Sequence, residues 1–260
     1  MKSDPSYFDI RIATCERDLR GAQRLRYRVF VEELGGDGAL VDHQNRLECD
    51  EFDPVVDHLC LIDSRRSAED LEHVVGVYRL LPGMRAEEFG RFYCDSEYDL
   101  TKLRQSGRSL LELGRSCVDP AYRGGSGMFL LWNALADYVL DLGIELLFGV
   151  ASFHGTDTRQ LAPSLSWLHH NHLAAEALRP VARPEGYQPM DLIPADELER
   201  REALIGMPAL IKAYLRLGGR VGEGAYIDRA FNTTDVFLLM DTAAMSEKHR
   251  KFYEDRWQGQ

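Results

Sequence analysis

The run Leu111-Glu112-Leu113-Gly114-Arg115-Ser116-Cys117-Val118-Asp119-Pro120-Ala121-Tyr122-Arg123-Gly124-Gly125-Ser126-Gly127 constrains this chain more than any other. An apolar-alternating stretch meets a Val-Asp-Pro stop, then an Arg/Gly-rich turn, then a long amphipathic segment. That order predicts a strand over Leu110–Val118, a backbone-rich loop, and a helix over residues 127–142. Such a junction offers free N–H groups and the positive end of a helix dipole to an anion such as a phosphate. Residues 145–153 are almost all apolar, as in a central strand covered on both faces. Strand, helix and strand in succession predict a parallel pair joined by a right-handed crossover.

The remaining elements are read the same way. Phe8, Ile10 and Ile12 alternate with polar residues and predict a first strand. Thr14 is placed to cap a following helix, whose stripe is Ala22, Leu25 and Val29. Arg26 lies four residues after Ala22 and three before Val29, on or beside the inward face, whereas Arg28 points elsewhere. Gly35-Gly36-Asp37-Gly38 ends that region and opens a polar loop to Asp57. Residues 58–63 and 74–81 predict an antiparallel hairpin. A helix over 160–172, a proline-rich connector from Pro180 to Pro194, a short helix over 207–217, closing strands at 225–228 and 235–240, and a polar helix over 242–256 follow. No internal repeat or low-complexity tract interrupts this order.

A chain of 260 residues, 45% apolar and 28% charged, can bury a sizeable core. We expect one domain over 1–260, with a core of about 7–180 and a C-terminal extension of about 181–260 packed on it. The formal net charge of −11 argues against nucleic-acid binding and gives no general attraction to anionic lipid. The five cysteines are scattered and form no C-x-x-C, which suits reduced thiols rather than a disulfide framework or a zinc site. With no apolar run of spanning length and no signal-peptide core near Met1, a cytoplasmic protein is expected.

Four charged segments follow one another: Arg26-Tyr27-Arg28-Val29-Phe30, Glu48-Cys49-Asp50-Glu51-Phe52-Asp53, Val75-Gly76-Val77-Tyr78-Arg79-Leu80-Leu81-Pro82 and Glu112-Leu113-Gly114-Arg115. Together they resemble the R-x-x-V-F, E-x-D-x-[FY]-D, G-x-x-R-L-L and E-L-x-R signatures of acyl-homoserine lactone synthases. The order strand, Val-x-Pro, Arg-Gly turn, helix, strand resembles the wider GCN5-related N-acyltransferase (GNAT) superfamily. The resemblance implies an α/β, GNAT-like acyltransferase fold: a mixed central sheet flanked by helices, here with a C-terminal extension. In that superfamily the loop holds the pyrophosphate of coenzyme A, but here the glycine positions counted from Arg123 are Ser126 and Met128. That departure favours a donor with a single phosphate, a phosphopantetheine thioester on acyl carrier protein, with no tightly bound cofactor. Leu130-Leu131-Trp132, Ser152-Phe153-His154-Gly155-Thr156-Asp157, Met207 to Gly219 and Phe231 to Asp241 are similar to the ornithine N-acyltransferases of bacterial ornithine-lipid synthesis. That similarity spans roughly Phe8 to Asp241. It implies transfer of a 3-hydroxyacyl group to the α-amine of L-ornithine, giving lyso-ornithine lipid.

Ornithine brings one carboxylate and two amines, so its site needs charge of both signs. Arg26, Arg79 and Arg115 are the expected carboxylate clamp, and Asp50 with Asp53 the expected partners of the distal ammonium. Glu112 is the candidate base, with His154 as an alternative proton acceptor. Backbone N–H groups around Ser116–Val118 are assigned to the developing oxyanion. Arg123, Gly124, Gly125 and Gly127 form the expected donor phosphate loop. Lys212 and Arg216, four apart with Arg220 just beyond, make a basic stripe suited to an acidic carrier protein. The same stripe also suits a peripheral contact with the inner membrane, where an amphiphilic product belongs, or a solvated surface. His169-His170-Asn171-His172 lacks recognisable metal spacing and reads as a helix end; no metal is expected. Acylation of another amino acid such as glutamine, an acyl-homoserine lactone synthase, and a silent carrier- or membrane-binding module remain open alternatives.

Overall fold

The computed structural model describes residues 7–123 and 127–244. The chain divides into two compact units, the first running to Phe89 and resuming at Leu113–Gly143, the second built from Gly90–Glu112 and the residues from Ile144 onward.

In the first unit, β1 (Phe8–Ile12), β2 (Asp57–Asp63) and β3 (Val74–Pro82) pair antiparallel in sequence order, and β5 (Leu110–Val118) enters beside β3. α1 (Glu16–Arg26) carries acidic residues in its first turn and basic ones in its last, matching the helix dipole. Its N-cap is Cys15, without a side-chain cap bond, and not the expected Thr14. The helix continues as π-helical turns over Tyr27–Glu33. The expected stripe is buried: Ala22, Leu25 and Val29 pack with Cys60, Ile62, Val74, Val77 and Cys117. Gly21 permits this approach, since a Cβ there would lie 2.7 Å from Val74 and from His73. α4 (Gly127–Asp141) covers β2 and β3 through the alternate residues, where a Cβ on Gly76 would meet Leu131 at 2.8 Å. The hairpin is thus covered on both faces, and β3 is buried over eight of its nine residues, Val74 to Leu81.

In the second unit the strand order is β5, β6 (Leu146–His154), β10 (Thr233–Asp241), β9 (Arg220–Asp228), β7 (Val181–Ala182) and β4 (Tyr98–Asp99), with β8 (Tyr187–Gln188) on β9. Leu110–Glu112 pair parallel with Leu146–Phe148, as the strand–helix–strand reading predicted, while β6 and β9 each run antiparallel to β10. The residues expected as an appended extension therefore supply strands of this unit's sheet. α5 (Thr158–His172), capped by the Asp157 carboxylate, and α7 (Ala209–Arg216) bury Leu165, Leu168 and Ile211 against Ala151, Phe153, Val221, Ala225, Val236 and Leu238. The helix expected over 207–217 is the shorter α7, preceded by α6 (Arg200–Gly206). The polar helix expected over 242–256 lies almost entirely outside the described residues; Thr242–Ala244 form one 3-10 turn. Among the described residues no helix is long and apolar enough to cross a membrane.

Candidate active site

The four charged segments, Glu112 excepted, converge inside the first unit. α1 ends on Arg26, the loop before β2 delivers Glu48, Asp50 and Asp53, β3 delivers Arg79 and β5 delivers Arg115. Arg26 is wholly buried, and its guanidinium is fully occupied. Nε donates to the Glu48 carboxylate, Nη1 to Asp53 Oδ1 at 2.7 Å, and Nη2 to the Glu48 carbonyl at 2.7 Å and to Asp53 Oδ2 at 3.1 Å. Gln23 Nε2 adds a bond to Asp53 Oδ2 at 3.0 Å. Arg26 therefore belongs to the scaffold and not to a substrate clamp, correcting its expected role. Asp53 is corrected with it: only 7% of its side chain is exposed and both oxygens are engaged.

The outer side of the cluster differs. Arg79 Nη1 donates to Asp50 Oδ2 at 2.5 Å and to Asp53 Oδ1 at 3.4 Å. Arg115 Nε donates to Glu48 Oε1 at 3.0 Å and its Nη2 to Asp50 Oδ2 at 3.3 Å. Asp50 and Arg115 keep 19% and 16% of their side chains exposed, so a cation and an anion reach solvent side by side. Three guanidinium groups face three carboxylates, so the cluster is neutral as a whole. Burial alone raises a carboxyl pKa, but here the arginines outweigh it. Arg26 above all holds Asp53 at about 2 against that burial. Glu48 and Asp50 are likewise held below their ordinary values, Glu48 by Arg26 and Asp50 by Arg79, in each case against burial. Arg79 is shifted down by burial and by repulsion from Arg115 and Arg26.

β5 is distorted where it meets this cluster. Arg115 has φ +47°, a left-handed backbone that costs a non-glycine residue about 1–3 kcal/mol. The burial pattern of the strand breaks there too: Gly114, Arg115 and Ser116 are half-buried between buried Leu113 and Cys117. The kink gives the guanidinium its aim at Glu48 and Asp50, and the neighbouring Ser116 Oγ has no partner among the described residues.

Several expectations need correction. Glu112 does not stand free as a base: its carboxylate accepts the Tyr93 N–H at 2.8 Å and the Cys94 N–H at 2.7 Å, and it is buried. It caps the first turn of a 3-10 helix, Tyr93–Ser96, in the second unit. Arg123 closes on Glu33 through both Nη atoms, at 2.5 and 2.6 Å, with Nε on the Val118 carbonyl at 3.0 Å, so it is not a free phosphate ligand. Gly127 packs as the buried first residue of α4, while Gly124 and Gly125 lie outside the described residues. The nearby open depression is lined by Arg28, Glu32, Glu33, Asp119 and Pro120, three carboxylates against one guanidinium. The basic stripe is broken: Lys212 donates to the Leu204 carbonyl and Arg220 to the Asn171 carbonyl, each serving a helix C-terminus, and Arg216 remains exposed. His154 is exposed at the end of β6, and His170 Nε2 donates to the Ile193 carbonyl at 2.9 Å. All five cysteines are free, and burial pushes the Cys117 thiol up to about 12.

Glu48 and His58 were not singled out from sequence. Glu48 was visible as the first acid of the E-x-D-x-F-D segment. His58, buried with Nε2 3.2 Å from the Asp53 carbonyl, carries no local signal. In the second unit, Glu97, Asp228 and Asp235 bring carboxylate oxygens within 4.8 Å of one another, an acidic cluster that does not by itself define a metal centre.

The fold is that of a GNAT-like acyltransferase, and residues 25–133 match the family model described as an acetyltransferase (GNAT) domain. A solved structure of a CoA-dependent acyl-homoserine lactone synthase shares the fold, with a TM-score of 0.50 at 18% identity over 93% of this chain and 82% of that one. The chain belongs to the L-ornithine N(alpha)-acyltransferase family. The relative of that name from Rhodobacter capsulatus is 65% identical over 259 residues, 100% of this chain and 99% of its own. The one from Brucella abortus is 40% identical over 247 residues, 94% of this chain and 88% of its own.

Proposed function

We propose that this acyltransferase moves a 3-hydroxyacyl group from the phosphopantetheine thioester of acyl carrier protein to the α-amine of L-ornithine. The observation that carries the reading is the Asp50–Arg115 edge, a partly exposed anion and cation 3.3 Å apart beside otherwise sealed charges. Such a pair suits a zwitterion, whose carboxylate and ammonium each find an opposite charge without leaving a net buried one. The names of the relatives supply ornithine as the acceptor.

In the reaction the α-ammonium loses a proton, the free amine attacks the thioester carbonyl, and the tetrahedral intermediate collapses with loss of the carrier thiolate. The second proton lost by the attacking nitrogen is taken up by the thiolate, so the products are a neutral amide and a free thiol. Because the amine attacks directly, no enzyme nucleophile is required, which fits Cys60, Cys94 and Cys117, whose thiols are buried and raised. Glu112 keeps both oxygens on backbone N–H groups and so is not the free base, while the Ser116 hydroxyl, without a partner among the described residues, serves the oxyanion. A single-phosphate donor is supported by the displaced glycine register and by the closure of Arg123 on Glu33.

The test offers 3-hydroxyacyl carrier protein with a panel of amino acids and identifies the product by mass. The reading expects thiol release dependent on L-ornithine, acylation on the α-nitrogen, and an activity falling about 100-fold in Ser116→Ala. Acylation of glutamine in preference to ornithine, or a homoserine lactone formed from S-adenosylmethionine, would sink it.

A further inference from the structure

The π-helical turns Tyr27–Glu33 bring charge to the end of β5, where the donor loop begins. Hydrogen bonds that reach back five residues, as from the Leu34 N–H to the Val29 carbonyl at 3.2 Å, set the spacing of these turns. Arg28 and Glu33 are five apart and Glu32 lies between them, so all three face the open depression that Asp119 and Pro120 complete. These residues and Arg123 belong to the first unit.

Each cation at this mouth is spent on a carboxylate. Glu33 takes both Nη atoms of Arg123, at 2.5 and 2.6 Å, and the Val118 carbonyl takes its Nε. Arg28 donates to Asp119, whose other oxygen accepts the Ala121 N–H at 2.9 Å. Arg46 closes on both oxygens of Glu32. Three guanidinium groups therefore meet three carboxylates, with no surplus positive charge among these six residues. The Glu33–Arg123 pair lies at the surface, with 38% and 43% of the two side chains exposed. Arg123 holds the Glu33 carboxyl below its ordinary value, so it is an anion at neutral pH.

We propose that Glu33 is a donor-selecting residue, which occupies Arg123 and sets its own charge against the phosphates of a coenzyme A thioester. Such a thioester brings a pyrophosphate and a further phosphate to the mouth, whereas a phosphopantetheine arm on a carrier protein brings a single phosphodiester. A mouth of balanced charge repels the first donor more than the second, and like charge is how an interface turns away a wrong partner. If Arg123 turned onto a phosphate, Glu33 would be left as an unpaired anion facing it, with Glu32 and Asp119 close by. The inference rests on the reading that the donor is carrier-borne, and it names the side chain that enforces that choice.

The test measures kcat/KM for 3-hydroxyacyl carrier protein and for the 3-hydroxyacyl thioester of coenzyme A, with L-ornithine as acceptor. The native enzyme, Glu33→Gln and Glu33→Asp are compared at low and at high salt. An exposed ion pair adds little stability, and thermal unfolding checks that each variant keeps the fold. The expected native enzyme strongly prefers the carrier thioester. In Glu33→Gln that preference shrinks about 10-fold at low salt, the scale of one partly exposed like charge, and the difference from the native enzyme fades at high salt. Glu33→Asp keeps the charge and the native preference, and the KM for ornithine is unmoved in both variants. A preference unchanged in Glu33→Gln, lost equally in Glu33→Asp, or altered in a way that salt does not weaken overturns the role of Glu33 and leaves the carrier donor standing. A native enzyme that uses the coenzyme A thioester as well as the carrier thioester, or uses neither, overturns both.

Discussion

Arg26 and Arg115 belong to one network yet sit in opposite regimes. Arg26 is sealed, with every donor group engaged by Glu48 and Asp53 and no exposed surface. Arg115 shares Glu48 with it but reaches the surface with Asp50 on a strained strand. The inner half orders the loop that carries Glu48, Asp50 and Asp53, and the outer half presents the charges that loop has placed. Identical chemistry thus builds the frame on one side and stays open to solvent on the other.

The largest effect that separates the halves is on stability. Arg26→Ala strands two carboxylates in the interior and should cost about 3–5 kcal/mol in denaturant unfolding. A loss below about 1 kcal/mol would mean that the inner cluster holds nothing together.

A smaller effect follows from pH. Asp53 has a folded-state pKa of about 2, below its unfolded value, so its contribution is complete above about pH 4 and disappears as pH falls toward 2. Glu48 and Asp50, shifted in the same direction, add to that slope. Unfolding free energy, followed by circular dichroism, should be level from pH 7 to about 5 and fall steeply from 4 to 2. Arg115→Ala should keep most of that fall, because Arg26 is the chief charge acting on Asp53. If Arg115→Ala abolished it, the two halves would be one electrostatic unit.

The contrast also explains what the sequence disclosed. β5, α4 and β6 were legible because periodicity is local, and Arg26 was placed inward by its spacing from Ala22 and Val29. That same spacing could not show that its guanidinium was already satisfied, because Glu48 and Asp53 lie 22 and 27 residues away. The motifs identified which charges gather without showing which of them pair among themselves. Glu112 illustrates the limit: its partners are backbone N–H groups of Tyr93 and Cys94, which no side-chain pattern announces. Lys212 and Arg220 read as a basic stripe, but each cation turns onto a helix C-terminus supplied from elsewhere in the chain.

The central claim is that the Asp50–Arg115 edge receives the acceptor while the buried half only supports it. Calorimetric titration of L-ornithine into the native enzyme and into folded Arg115→Ala tests this most directly. Losing hydrogen bonds to a charged group predicts affinity weakened about 10- to 100-fold, with thermal stability lowered by less than about 1 kcal/mol. Ornithine binding equally tightly to both proteins would contradict it.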